Sequence, residues 1–211
     1  MLLDSVHAVL FDVDGTLLDT FDFIYGAFEH AFEVHGVPPL SRDDISGLMG
    51  GPLEEVYATM AAEFDAKDLS ETHRNFQANN LGLAKLFPST AQVLEALKQR
   101  NIKLAAVTTR SKRTSVKSLE ITGIAHYFDL VVSGEDVSRL KPDPEPIFRV
   151  LEHFGLMPSD AIMVGDTHAD IEAGKNAGVK TVAALYGFGG ERLIGLEPDY
   201  AIRDLRELLT I

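Results

Sequence analysis

The sequence predicts an α/β fold: a doubly wound parallel sheet with a helical unit inserted directly after its first strand. Three observations carry this. From Pro88 onward, short apolar runs alternate with stretches at helical spacing, the pattern of a parallel sheet covered on both faces. One further run, Val6 to Phe11, stands far upstream of the others. Between them, residues 21–87 carry helical periodicity and no convincing strand. The core is therefore expected over residues 1–20 and 88–211, and the helical insertion over residues 21–87.

Val6 to Phe11 is short and rich in valine and leucine, so it reads as a buried strand that stops at Asp12. In the insertion, Ile24, Phe28, Ala31 and Phe32 fall on one helix face. Ser41 followed by Asp44 resembles a capping box, and Pro52-Leu53-Glu54-Glu55 opens a helix through Met60. After Pro88, Ser89 is expected to cap a helix reaching about Arg100. KLAAV (Lys103 to Val107) is the next strand, followed by a helix near Ser111 to Thr122. FDLVV (Phe128 to Val132) is a strand, and Pro144 to Phe154 is a helix ended by Gly155. AIMV (Ala161 to Val164) leads to a helix from about Ala169 to Ala177 and a last strand, Thr181 to Leu185. The winding is Rossmann-like, and ligands are expected beyond the carboxyl ends of the strands.

The bulk numbers exclude whole classes of function. With 211 residues, 45% apolar and 24% charged, the chain can bury a sizeable core. A formal net charge of −13 argues against nucleic acid and anionic membranes as partners. It also means that an anionic substrate needs placed cations or a metal. Cysteine is absent, which excludes disulfides and thiolate chemistry and fits a cytoplasmic location. No apolar stretch is long enough to span a membrane. MLLDSVHAVLFDVDG lacks a basic start and meets charge too early for a signal peptide. Gly50, Gly51, Gly187, Gly189 and Gly190 do not form the dinucleotide-binding pattern.

Chemistry gathers at the strand ends. The first strand ends in Asp12-Val13-Asp14-Gly15-Thr16, the second in Thr108-Thr109-Arg110-Ser111. The third leads to Lys141-Pro142-Asp143-Pro144, the fourth to Gly165-Asp166-Thr167-His168-Ala169-Asp170. Each has an ordinary reading alone: a turn, a helix-opening loop, a helix cap. In this order, each after a strand, they point to phosphoryl transfer. Asp12, Asp14, Asp166 and Asp170 are hard oxygen donors that repel one another unless a cation such as Mg²⁺ joins them. One aspartate can attack phosphorus while a second serves as acid and then base. The Thr108 hydroxyl and backbone N–H groups can hold phosphoryl oxygens, and Lys141 can neutralise the charge that gathers there. The seven histidines show no metal spacing, and His168 reads as a surface residue at a helix start.

DVDGT, Thr108 after its strand, KPDP and GDTHAD resemble, in order, the four motifs of the haloacid dehalogenase superfamily, whose members carry a helical cap where residues 21–87 stand. VTTRS, KPDPEPI, VGDTHADIEAGKNAG and YGFGGERL are similar to its phosphoglycolate phosphatase group. The resemblance implies a Mg²⁺-dependent phosphatase of small phosphorylated metabolites. Asp12 would be its nucleophile and Asp14 its acid/base, with the Asp14 carbonyl a metal ligand. Thr108 and the backbone N–H of Thr109 would hold phosphate beside Lys141. Asp166 would be a metal ligand, and Asp170 a further ligand or its support. Thr109 stands where Asn or Ser is common. An inorganic pyrophosphatase, a sugar-phosphate phosphatase and a β-phosphoglucomutase share this fold; a silent binding protein would be free to lose these residues. The loop 47–52, with Gly50 and Gly51, is the candidate for substrate contact from the cap, and Arg110 for contact with the leaving group. A monomer and a homodimer are both compatible with the chain.

Overall fold

The computed structural model describes residues 3, 6–46 and 48–211. In chain order its regular elements are β1 (Ala8–Phe11), β2 (Leu18–Asp19), α1 (Phe21–His35), α2 (Arg42–Ser46), α3 (Leu53–Met60), α4 (Ala66–Asn79), β3 (Lys85–Leu86), α5 (Thr90–Gln99), β4 (Lys103–Val107), α6 (Lys112–Ile121), β5 (Leu130–Val132), α7 (Glu145–Phe154), β6 (Ala161–Gly165), α8 (His168–Ala177), β7 (Lys180–Ala184) and β8 (Tyr200–Ile202). Six strands form one sheet in the order β5-β4-β1-β6-β7-β8, every pairing parallel. The chain starts at the centre, builds outward through β4 and β5, then crosses back to β6, β7 and β8.

Alternation along β1 shows how the sheet is covered. Val9 and Phe11 face one layer, where Val93, Leu94 and Leu97 of α5 and Leu119 of α6 pack. Ala8 and Leu10 face the other, with Ile147, Val150 and Leu151 of α7 and Ala173 and Ala177 of α8. Helices on both faces explain why β1, β4 and β6 are apolar throughout instead of alternating.

The helical insertion, α1 to α4, buries its own aromatic and aliphatic core, including Phe23, Phe28, Phe32, Ile45, Tyr57 and Leu69. Its doorway is a two-stranded antiparallel pair in which Leu18 of β2 faces Leu86 of β3, and Asp19 faces Lys85. This β3 lies where no strand was expected; two residues carry no readable period. β8 also escaped the sequence reading, being a short segment, Tyr200–Ile202, at the sheet's edge.

Ser89 is corrected as well. It stands at the head of α5, but in the left-handed region (φ 69°), and its side chain makes no cap hydrogen bond. A capping hydroxyl needs extended backbone to reach the first turn. Thr90 ties this end down instead, its Oγ1 donating to the Leu17 carbonyl at 3.0 Å. Ser41 and Asp44 do pair, the Asp44 N–H donating to Ser41 Oγ at 3.2 Å. Among the described residues no helix is long and apolar enough to cross a membrane.

Phe11 is fully buried and precedes the first polar residue of the sheet edge. Phe11→Ala should destabilise the protein by about 3–5 kcal/mol in urea unfolding. A loss below about 1 kcal/mol would contradict the packing described.

Candidate active site

The register of β1 builds the site. Phe11 stands beside Ala106 of β4 and Val164 of β6, so Asp12, Thr108 and Asp166 emerge from one edge of the sheet. The Asp12 N–H donates to the Val164 carbonyl at 2.9 Å, extending the ladder to the aspartate itself. Lys141 enters from the loop before α7. Its ammonium, on a residue 3% exposed, donates to Asp12 Oδ1 and Asp170 Oδ1, each at 2.6 Å, and to the Val107 carbonyl at 2.9 Å. All three ammonium hydrogens are thereby used.

Asp170 closes a capping box at the start of α8. Its Oδ2 accepts from the Thr167 N–H at 2.9 Å and the Thr167 hydroxyl at 2.6 Å, so both of its oxygens are engaged within the protein. Asp166 is anchored differently: Oδ1 accepts from Thr16 Oγ1 at 2.9 Å, and Oδ2 from the Phe188 N–H at 2.7 Å. Gly15 makes room for it. Its φ is +83°, and a Cβ there would stand 2.1 Å from Asp166 Oδ2.

Carboxylate oxygens of Asp12, Asp166 and Asp170 lie within 4.8 Å of one another. Burial pushes Asp12 up to about 7; Lys141 pulls it back, while Asp170 and Asp14 add to the rise. Burial also raises Asp166 well above the carboxylate range, with Asp12 and Asp170 adding to it. Burial pulls the Lys141 ammonium down, yet Asp12 and Asp170 beside it raise it above its ordinary value. Three carboxylates facing one ammonium leave an excess of negative charge, and an all-oxygen donor set suits Mg²⁺. Among the described residues Asp12 Oδ2 accepts no hydrogen bond, which leaves it free for a metal or for attack.

Asp14 lies across from Arg110. Arg110 Nη1 donates to Asp14 Oδ1 at 3.1 Å; Nη2 donates to the Thr114 carbonyl at 3.1 Å and Ser118 Oγ at 3.0 Å. The guanidinium also lies over the Phe23 ring at 4.8 Å. Arg110 was expected on the leaving group; here it grips Asp14. Thr108 Oγ1 accepts from the Arg110 N–H at 3.2 Å, and Thr109 lies beside it, half-buried.

A cavity of about 660 Å³ joins this edge to the insertion. Asp12, Asp14 and Thr108 line one wall; Gly50, Gly51 and His73 line the other. Of the loop 47–52, Gly47 lies outside the described residues. Gly50 touches the core: at φ +98°, a Cβ would stand 2.7 Å from Thr167 Oγ1. Gly51 has open space, a Cβ there meeting only a Val56 methyl at 3.9 Å among the described residues. The core returns the contact through Phe188, whose ring packs edge-on to Phe21 at 4.6 Å and Tyr25 at 5.8 Å.

Sequence reasoning gave no role to Thr16, Thr167 or Phe188, which orient Asp166 and Asp170. Thr16 and Thr167 sit inside the motifs quoted, so a search for hydroxyls beside carboxylates would have found them. Nothing in the sequence links Phe188 to Asp166, or Tyr57 to His73, since these pairs form only across the fold.

The family described as haloacid dehalogenase-like hydrolase matches residues 9–184. A pyrophosphatase PpaX of Bacillus velezensis is 36% identical over 208 residues, covering 98% of this chain and 96% of that protein. A phosphoglycolate phosphatase of Aquifex aeolicus is 34% identical over 207 residues, covering 98% and 96%. A solved haloacid dehalogenase-like hydrolase from Streptococcus pneumoniae matches with a TM-score of 0.89 at 30% identity, covering 98% of each chain.

A raised carboxylate holds its proton in the folded, metal-free protein, and a metal must displace that proton. With Asp12 at about 7, a fixed Mg²⁺ concentration should raise the melting temperature more as pH rises from about 5.5 to about 8. A shift independent of pH in thermal unfolding would contradict this.

Proposed function

Since the chain belongs to the haloacid dehalogenase-like hydrolases, we propose that it is a Mg²⁺-dependent phosphatase of small phosphate monoesters, acting through an aspartyl phosphate on Asp12. The observation that carries this reading is the ammonium of Lys141 held between Asp12 and Asp170 at the floor of the cavity. Asp12 so placed has one oxygen fixed by the ammonium, while among the described residues the other accepts no hydrogen bond.

In this reading an Asp12 oxygen attacks phosphorus as the bond to the leaving oxygen breaks, and Asp14 gives that oxygen its proton. Asp14 then takes a proton from water as the water attacks the aspartyl phosphate, which frees phosphate and restores Asp12. Lys141 and the Thr108 hydroxyl stabilise charge on the transferring group, assisted by the Thr109 N–H. Mg²⁺ would be held by Asp12, the Asp14 carbonyl and Asp166, and when bound supplies charge neutralisation between nucleophile and phosphoryl group. Asp170, with both oxygens engaged by protein donors, fits the supporting role better than that of a direct ligand. Arg110 must loosen its hold on Asp14 during the cycle or move with it.

Residues 21–87 act as a cap that closes over the cavity and selects the substrate. Phosphoglycolate is the favoured substrate, supported by the Aquifex aeolicus relative's name. Pyrophosphate is the second reading, favoured by the relatives named pyrophosphatase PpaX. The enzyme is taken to work in the cytoplasm, a reading supported by a chain without cysteine, and a monomer and a homodimer are both compatible with it.

A phosphate-release panel over phosphoglycolate, pyrophosphate, hexose phosphates and nucleotides tests the reading. Release should require Mg²⁺, and Asp12→Asn should lower turnover by at least about 10³-fold while the protein stays folded. Retention of a tenth of the activity, or full activity after chelation, would sink it. For the cap, Gly51→Ala should alter relative kcat/KM among substrates, whereas Gly50→Ala, pressing on Thr167, should lower it on all of them. Equal losses for both variants would remove the loop from substrate selection.

A further inference from the structure

Tyr57 and His73 form a buried pair in the cap that the reaction described above does not use. Tyr57 Oη and His73 Nδ1 lie 2.9 Å apart, and the His73 ring packs edge-on to Phe28 at 4.6 Å. Tyr57 is 0% exposed and His73 3%. The hydroxyl of Tyr57 has no other partner among the described residues. If the imidazole donated to it, the hydroxyl proton would be left buried without an acceptor, which costs about 1–3 kcal/mol. Tyr57 therefore donates to Nδ1, and the neutral ring carries its own hydrogen on Nε2.

His73 lines the same cavity as Asp12 and Thr108, from the opposite wall. Among the described residues Nε2 has no hydrogen-bond partner. Resting on the phosphatase reading, we infer that His73 is a specificity-determining residue whose Nε2–H receives an anionic oxygen on the leaving group, a carboxylate or a second phosphate. The surroundings support an anion over a neutral acceptor. Burial first, then the charges of Arg74 and Arg110, hold the imidazole down to about 3, so it stays neutral with two guanidinium groups near enough to act on it. Arg74 lines the same wall, and among the described residues its guanidinium is tethered only by an exposed pair with Glu54 at 3.5 Å. A neutral donor with these two cations nearby favours a charged acceptor, and Tyr57 keeps the donor pointing one way.

The test compares kcat/KM for phosphoglycolate and pyrophosphate, whose leaving groups are anionic, with that for p-nitrophenyl phosphate, whose leaving group has no second anion. His73→Asn keeps a partner for Tyr57 and removes the outward donor; His73→Gln places an amide nearer the Nε2 position. His73→Asn should lose about tenfold to a hundredfold on whichever anionic substrate the wild type turns over, through KM, but less than about threefold on p-nitrophenyl phosphate. His73→Gln should recover part of the loss. The two anionic substrates separate a carboxylate from a phosphate as the natural partner. Equal loss on all substrates, or no loss on the anionic ones, would overturn this inference and leave the phosphatase reading intact. A wild-type protein that releases phosphate from none of them would overturn both.

Discussion

One ammonium organises this molecule. Lys141 joins Asp12 at the end of β1 to Asp170 in the first turn of α8, and its third hydrogen is taken by the end of β4. Without it, two carboxylates would face each other in a buried site, and neither could stay ionised at low cost. Removing one member of such a buried set leaves an uncompensated charge, an effect of about 3–5 kcal/mol. The sheet topology exists in the form that makes this meeting possible: β1 lies between β4 and β6, so three strand ends open at one place. Thr16 and the Phe188 N–H then hold both oxygens of Asp166, and Thr167 holds the second oxygen of Asp170.

The second constraint is that cap and core share a surface. Phe188 belongs to the core by sequence but packs in the cap's aromatic cluster. The N–H of that same residue holds Asp166. A displacement of the cap's aromatic face is therefore felt within one residue of a carboxylate that can hold metal. Gly50 leaves room for Thr167, whose hydroxyl holds Asp170 and would stand 2.7 Å from a Cβ placed there. The insertion and the carboxylates thus meet at these two contacts, with one core residue between them at each.

Much of this was legible in the sequence because the signals are local. β1, β4 and β6 announce themselves as apolar runs, and the polar residues that follow each run are the residues brought together. Gly155 ends α7 in the left-handed region, as its position implied. What could not be read depends on contacts across the fold. β8 is a three-residue segment, Tyr200–Ile202, and β2 and β3 have two residues each, too short to show a period. Ser89 has the right composition for a cap and the wrong backbone, because the turn after Phe87 takes it left-handed. Arg110 reads as a free cation, but its partner, Asp14, stands at the end of another strand. Tyr57 and His73 are sixteen positions apart on two helices, and nothing in their spacing couples them.

The doorway formed by β2 and β3 has a consequence for how this architecture can vary. Leu18 sits opposite Leu86 and Asp19 opposite Lys85, so the chain leaves the core and re-enters it through adjacent residues. Seen from the sheet, everything between is a single closed loop whose ends are already pinned together. The entropy of closing a loop grows only with the logarithm of its length, about 0.6 kcal/mol for each doubling. A larger, smaller or differently folded module grafted at this gate would add little loop-closure cost, provided the gate stays shut and the new module still covers Phe188. The length of the insertion is thereby nearly free to vary, while the face it turns to Phe188 and Thr167 is not.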